Sequence, residues 1–563
     1  MTARRNIHIL AAVLLVSLMT AACDQAQPGA TSPAGGPATA ETTSPTVAPP
    51  SAPTESGPTV GGTLVWAVPS EPGTLDPHFT SGGSEEFISS LLGAALVAYS
   101  PTGEYVPWLA ESWDISSDGL VYTFTLKEGV RFEDGTTLTA PMYAWTLDRA
   151  RDPDLAGSAA DLLGPVESVQ ALDDSTLQIT LGSPYYAFLH NLTLVANLQP
   201  LSQAWVEGQG DDFARNPMGV GPYKLMEWAT GEKLVLERNP DYDWGPDFAQ
   251  PYYLEQIEFR FLPEYATIMA ALQTGEVDYA LVENKDSDGL RESGAFELLE
   301  TVYNGAGPLL VVNNSLPPFD DLKVRQALNM AVNREALVTV VADGKAVPQY
   351  GPISSAVPGY DPSADELGAG LYPYDPEGAR ALLAESGWAD ADGDGVLDKD
   401  GAPLAFTIKT ASGWDQWIKM AEVLQQQFKD VGVDATLQQQ EFSIHIDDVL
   451  GGNFQAGILS YDMGEVDFCV VLFHSDIVDL TKAGDPDLNQ ILDAIRATVD
   501  PAGRQQAVKD FQTYMVEHAY VVSTLAPKIF WAMSSEVAGY TWAPPGGLVS
   551  TGMYLDGAYF VSE

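Results

Sequence analysis

Basic residues are scarce in this 563-residue chain: 27 Lys and Arg stand against 77 Asp and Glu, a net charge of −50. Nothing here neutralises a run of phosphates, which excludes a nucleic-acid partner. The same shortage excludes a polybasic binder of membrane surfaces. The acids themselves are near a normal share, so the acidity comes from missing bases. Such a field disfavours anionic solutes within the reach that salt allows, and it suits a saline habitat. Cysteine is rarer still, with Cys23 and Cys469 alone. A disulfide framework is therefore excluded, and stability has to come from a large core. Histidine numbers six, none paired at helical spacing, so no dedicated transition-metal site and no cofactor is expected. No nucleophile elbow, His-based triad or H-E-x-x-H occurs. With 77 acids some carboxylate pair is inevitable, so an exported glycoside hydrolase stays as the alternative from another class.

What is present begins with a secretory signal. Arg4 and Arg5 form a basic start, an apolar stretch runs from Ile9 to Met19, and Ala21 and Ala22 lead directly into Cys23. The apolar stretch is too short for a confident spanning helix. The small residues before Cys23 resemble a bacterial lipobox, with Thr20 where that pattern usually has Leu. Cys23 is thus the expected lipid anchor and new N-terminus, and residues 1–22 the removed signal. Residues 24–60 hold eight prolines among Ala, Ser, Thr and Gly without apolar periodicity, which reads as a disordered tether. At roughly 3 Å per residue of Pro-rich chain it reaches on the order of 100 Å.

The body is long enough for about three domains. Gly61–Val68 reads as a strand stopped by Pro69. Leu120–Leu126 alternates like a strand, and Ala140–Arg149 reads as a helix. A hairpin reverses at Gly231. Helices are expected at Ala266–Gln273, Asp321–Ala336, Pro376–Glu385 and Asp415–Asp430. The third has Asp375 as N-cap, Pro376 at its first turn and Gly387 just past its end. The fourth sets Ile418, Ala421, Leu424, Phe428 and Val431 along one stripe. Strands mixed with helices throughout imply an α/β body.

Seven segments in order resemble the large extracellular solute-binding proteins of ABC importers, the oligopeptide- and nickel-binding type called family 5. They are LDPH (Leu75–His78), the run from Leu109 to Ala140, GVGPYKLMEW (Gly219–Trp228) and RNPDY (Arg238–Tyr242). ALQTGEVD (Ala271–Asp278), Pro317–Leu337 and YDPEGARALLAESG (Tyr374–Gly387) follow, with Asn333 where the family usually has Asp. The resemblance implies a two-lobed periplasmic-binding-protein-like fold of type II, the large oligopeptide-binding subclass, with an extra domain inserted in lobe one. Lobe one would hold 61–96, 206–305 and 521–563, the inserted domain 97–205, and lobe two 306–520. The lobes would be joined by crossing strands near Leu309–Asn313 and Tyr520–Leu525. The resemblance further implies a monomeric, lipid-anchored receptor on the periplasmic or outer face of the cell membrane. It would close around a solute and deliver it to an ABC permease. Oligopeptide is the default ligand and oligosaccharide the alternative.

In peptide-binding relatives a segment reading roughly Gly-Trp-x-Ala-Asp-Tyr pairs its strand with the peptide backbone, and its Asp meets the N-terminal amine. The amine, once out of water, needs such a carboxylate. The similar segment here starts at Gly457 and continues through Ile458 and Leu459. Without a gap, Ile458 replaces the Trp and Tyr461 falls on the Asp. Asp462 comes one residue late, on the opposite face of a strand. Either the register slips by one, or the amine-binding carboxylate is absent. SGWDQW (Ser412–Trp417) resembles the Gly-Trp-x-x-Trp segment of oligosaccharide-binding members, where Trp414 and Trp417 would stack on sugar rings; the plainer reading is that Trp417 caps the helix core and Trp414 packs in a turn. Asp390, Asp392, Asp394 and Asp398 mimic the start of an EF-hand loop, a weak calcium candidate because Gly401 stands where the bidentate acid belongs. An acid-rich turn is the plainer reading.

Overall fold

The structure, a computed structural model, describes residues 58–80, 83–155, 157–249, 251–462, 465–542 and 553–561. The signal 1–22, Cys23 and most of the tether lie outside the described residues.

Two α/β lobes are each built on a mixed sheet. The first sheet has eight strands. Thr63–Val68 lies near its middle, parallel to both Gln256–Phe261 and Tyr279–Val282. Tyr223–Ala229 and Lys233–Arg238 extend it on one side as the expected hairpin. Leu525–Ser534 and Phe296–Val302 extend it on the other, and Ala346–Pro348 adds to Leu525–Ser534. Trp66, Phe259, Tyr279 and Trp531 are buried together under it. The second sheet has five strands in the order Asp434–Gln440, Ala405–Ala411, Ala456–Asp462, Gly305–Val312 and Val521–Val522. Its core gathers Leu310, Phe319, Phe406, Phe428, Phe473 and Phe511.

A third unit carries an antiparallel sheet ordered Ala110–Ile115, Val121–Leu126, Thr176–Leu181 and Val166–Ala171. Its own core includes Phe124, Tyr143, Leu147 and Phe188. The LDPH segment ties this unit to the first lobe. The Arg149 guanidinium grips both oxygens of Asp76, at 3.0 and 2.6 Å, and lies 2.6 Å from His78 Nδ1. Burial and the Arg149 charge hold His78 down at about 3, so the imidazole is neutral and accepts from the guanidinium.

The chain passes to the second sheet at Tyr303–Asn304, touches the first again only at Ala346–Pro348 among the described strands, and returns to it at Ser523–Thr524. The return falls where a crossing was expected. Leu309–Asn313, expected as the other, instead belongs to Gly305–Val312, a wholly buried strand inside the second sheet. The two crossings touch: a Cβ on Gly307 would collide with the Leu525 carbonyl, and Thr524 Oγ1 donates to the Pro308 carbonyl.

Local chemistry sets most helix ends. Pro376–Glu385 forms as expected, with the Asp375 carboxylate accepting from Gly378 N at 2.9 Å. The helix expected over Asp321–Ala336 is two, Leu322–Ala331 and Arg334–Val341. Asn333 is the reason. Its side chain accepts from Ala336 N at 2.9 Å, a capping bond that starts a new helix, while Val332 stays extended.

Candidate functional site

The strand Ala456–Asp462 lies between Gly305–Val312 and Ala405–Ala411, but its two edges are covered unequally. Along the first partner it pairs from Val312↔Ala456 to Gly305↔Asp462. Along the second it pairs only at Ile408↔Ala456 and Lys409↔Gly457. Beyond Gly457 that edge has no strand beside it among the described residues. The gap starts with one closure: His445 Nε2 lies 2.7 Å from the Ile458 carbonyl. Burial lowers the His445 pKa, so a neutral ring with its proton on Nε2 donates to that carbonyl. His445 Nδ1 and Thr410 Oγ1 next to this gap are buried without a partner. Gly457 is required by close approach, since a Cβ there would stand 2.9 Å from Val449 Cγ2 on helix Phe442–Gly451.

The side chains of this strand are largely core. Ile458 and Leu459 are fully buried, and Tyr461 is 2% exposed. The Tyr461 hydroxyl has no hydrogen-bond partner, and burial pushes its pKa well up. Asp462 ends the strand opposite Gly305, at the crossing between lobes; its side chain lies outside what is described.

Trp414 and Trp417 come together, but on each other and on Phe442. Trp414 stacks on Phe442 at 4.9 Å and 13°, and on Trp417 at 4.6 Å and 33°. Trp417 is 2% exposed and belongs to the core of the second lobe. On helix Asp415–Lys429 the buried stripe includes Trp417 and Met420 beside Ala421, Leu424 and Phe428, while the expected Ile418 is half-buried.

Of the acidic loop, Asp390, Asp392 and Asp398 bring carboxylate oxygens within 4.8 Å of one another; Asp394 stays outside that group. The loop closes on its own amides, with Asp390 accepting from Gly393 N at 2.7 Å and Gly395 N at 3.2 Å. It leads into the short hairpin Asp398–Lys399 and Ala402–Pro403, without the flanking helix pair of an EF-hand.

A constellation that the sequence reading missed lies just past Asp462. Glu465 pairs with Arg504. Asp467 takes Arg496 bidentately, with contacts of 2.9 and 2.7 Å. Both arginines face tyrosines of the third unit: Arg504 sits 4.1 Å from the Tyr186 ring centre and Arg496 sits 5.6 Å from that of Tyr185. Tyr99, Tyr105 and His190 pack nearby, with Tyr99 and Tyr105 rings 5.3 Å apart. Burial raises the Glu465 pKa against the opposing pull of Arg504. Burial and the Arg504 charge lower His190 to about 4. Cys469, beside these acids, is a buried thiol outside any disulfide, and burial first raises its pKa. Each acid here has a base, so the site carries paired charge. No local signal in the sequence marks these residues: Arg149 and Arg151 stand closer together than Arg496 and Arg504.

Residues 104–469 match the family model described as bacterial extracellular solute-binding proteins, family 5 middle. The chain is 31% identical over 399 residues to the nickel-binding periplasmic protein of Escherichia coli K12, covering 68% of this chain and 71% of that one. It is 28% identical over 502 residues to the glutathione-binding protein GsiB of Pectobacterium atrosepticum, covering 85% and 91%. Among solved structures it resembles NikA from Brucella suis in complex with Fe(III)-EDTA, with a TM-score of 0.76, 26% identity and coverage of 88% and 99%. It also shares the fold of the oligopeptide-binding protein AppA from Bacillus subtilis with a nonapeptide, with a TM-score of 0.71, 24% identity and coverage of 90% and 100%.

Proposed function

The chain belongs to the bacterial extracellular solute-binding proteins of family 5, and from that premise we propose that its solute is an oligopeptide, captured by lobe closure. As a member it is the extracytoplasmic substrate-binding component of an ABC importer and not an enzyme. No helix among the described residues is long and apolar enough to cross a membrane.

The observation that carries the peptide reading is the edge of Ala456–Asp462 past Gly457, which has no strand beside it among the described residues and only His445 on its first carbonyl. Main-chain donors and acceptors along such an edge take an extended peptide as one more strand, and this contact is indifferent to side chains. The edge ends at Asp462, where the chain also crosses between lobes, so a peptide laid there touches both. Such contacts favour the closed state. The relative named for glutathione, itself a short peptide, covers 85% of this chain. The oligosaccharide reading needs free Trp faces, and those of Trp414 and Trp417 are engaged with each other and Phe442.

Mass spectrometry of ligand carried through purification tests the reading directly: peptides are expected, and sugars alone would overturn it. Replacing Asp462 with Asn separates the two registers. A loss of about ten-fold or more in affinity for free-amine peptides, with N-acetylated ones unaffected, is expected if its carboxylate meets the amine. An unchanged affinity would leave the peptide held by backbone alone. We further read lobe one as 61–96, 206–305 and 521–563, the inserted domain as 97–205, and lobe two as 306–520. Cys23 is read as the lipid anchor. Cys23→Ser should release the protein from membranes into the soluble fraction, and persistent membrane association would refute the anchor.

A further inference from the structure

The inserted unit touches lobe two through a small seam whose parts are set from behind. Glu465 uses one carboxylate oxygen on Arg504 and the other on Asp467 N, at 2.6 Å. Arg504 Nε donates to the Ile495 carbonyl at 3.1 Å. These bonds fix the plane of the guanidinium, and the flat face left over is the one Tyr186 covers at 4.1 Å. Arg496 is held likewise by Asp467, with Tyr185 over it. Tyr186 N also donates to the Arg496 carbonyl at 3.1 Å, and Val499 meets the turn at Gly119. The charged and stacked residues come from four places: the Tyr185–Tyr186 corner before helix Ala187–Asn191, the Glu465–Asp467 segment, the end of helix Pro486–Ala497 and the start of helix Pro501–Glu517.

The inserted unit is bound to lobe one through Arg149, Asp76 and His78. Any rotation of lobe two away from lobe one must therefore open this seam. It is built to open: the ion pairs stay inside lobe two, and among the described residues what parts is stacking, one main-chain hydrogen bond and a methyl contact.

We propose that Tyr186 and Arg504 form a latch by which the inserted unit holds the closed state, adding residence time to a solute bound between the lobes. The effect on solute rests on the reading of Ala456–Asp462 as the peptide-binding strand. The seam itself does not. Arg504 is pre-oriented by Glu465, so the tyrosine finds a rigid cation, and a stacked cation in a partly dry setting holds better than an exposed one. Tyr186 is a positioning residue for closure rather than a ligand contact.

The test uses the full chain with Tyr186→Ala and Tyr186→Phe, the second keeping the ring face. Hydrogen exchange over 185–191 and 495–499 and the radius of gyration are measured without added solute. Dissociation of glutathione and of a set of tri- to nonapeptides is followed by stopped flow. Tyr186→Ala should speed exchange across the seam several-fold, expand the particle and raise peptide off-rates by about ten-fold; Tyr186→Phe should stay near the parent. The melting temperature should barely move, which separates a latch from a packing defect. Seam exchange unchanged in Tyr186→Ala, or equal loosening by Tyr186→Phe, would overturn the latch. Faster exchange with no peptide bound by any variant would support the latch and refute the peptide reading instead.

Discussion

The inserted unit meets its two neighbours along seams of opposite chemistry. Toward lobe one, the half-buried Arg149 guanidinium carries two bonds to the buried Asp76 and one to His78, while Ser158 Oγ and Asn197 Nδ2 reach the Thr80 carbonyl at 2.9 and 3.1 Å. Glu133 adds a carboxylate that accepts from Gly219 N at 3.2 Å. Toward lobe two, the charges are neutralised within the lobe and only their faces are shared. Breaking the first seam strands a buried charge; parting the second exposes ring faces and a guanidinium to water, where both are tolerable. The first is therefore a permanent join and the second a reversible one.

The sharpest way to break this contrast is Arg149→Ala. It leaves the Asp76 carboxylate buried without its cation, and a loss of about 3–5 kcal/mol in urea unfolding is expected. If the loss is below about 1 kcal/mol, the join is not held by this pair. Glu133→Gln comes next. Burial raises the Glu133 pKa from its ordinary 4.5 to about 7. The folded state therefore binds this proton more tightly than the unfolded one. Stability from this group is full below its unfolded pKa and is lost as pH rises from about 4.5 to about 7. Gln keeps the acceptor for Gly219 N and removes the ionisation. The variant should gain about 2 kcal/mol over the parent above pH 7 and nothing at pH 4, read from paired unfolding curves. A difference that does not change with pH would show that Glu133 is not the cause. Smallest is Val499→Ala at the reversible seam, where a change within about 0.5 kcal/mol in stability is expected from thermal unfolding. A larger loss would mean that this seam contributes to the folded core.

Much of the architecture was legible in local pattern. Asp375, Pro376 and Gly387 bracketed a helix that forms between those bounds. The hairpin at Gly231 needed a residue at ease with φ of +74° and had one. Asn333 shows where such reading falls short. An apolar pattern running through it suggested one helix, yet its amide competes for backbone donors and divides the run. Trp417 shows a different limit. Its spacing suits a sugar platform or a cap on the helix core equally, and only the packing of helix Asp415–Lys429, which turns it inward against Phe442 and His445, decides for the core.

The amino-acid sequence by itself determined the family, the order of the elements, the expectation of export and the acidic surface. These follow from residues close together along the chain or from plain counts. Tertiary structure alone decided which edge of Ala456–Asp462 lacks a neighbouring strand among the described residues, which tryptophan became core, and that Tyr186, Glu465 and Arg504 meet. Those outcomes depend on segments tens to hundreds of residues apart, whose burial and pairing are settled by how two lobes and an inserted unit pack. Periodicity along the chain carries no record of that.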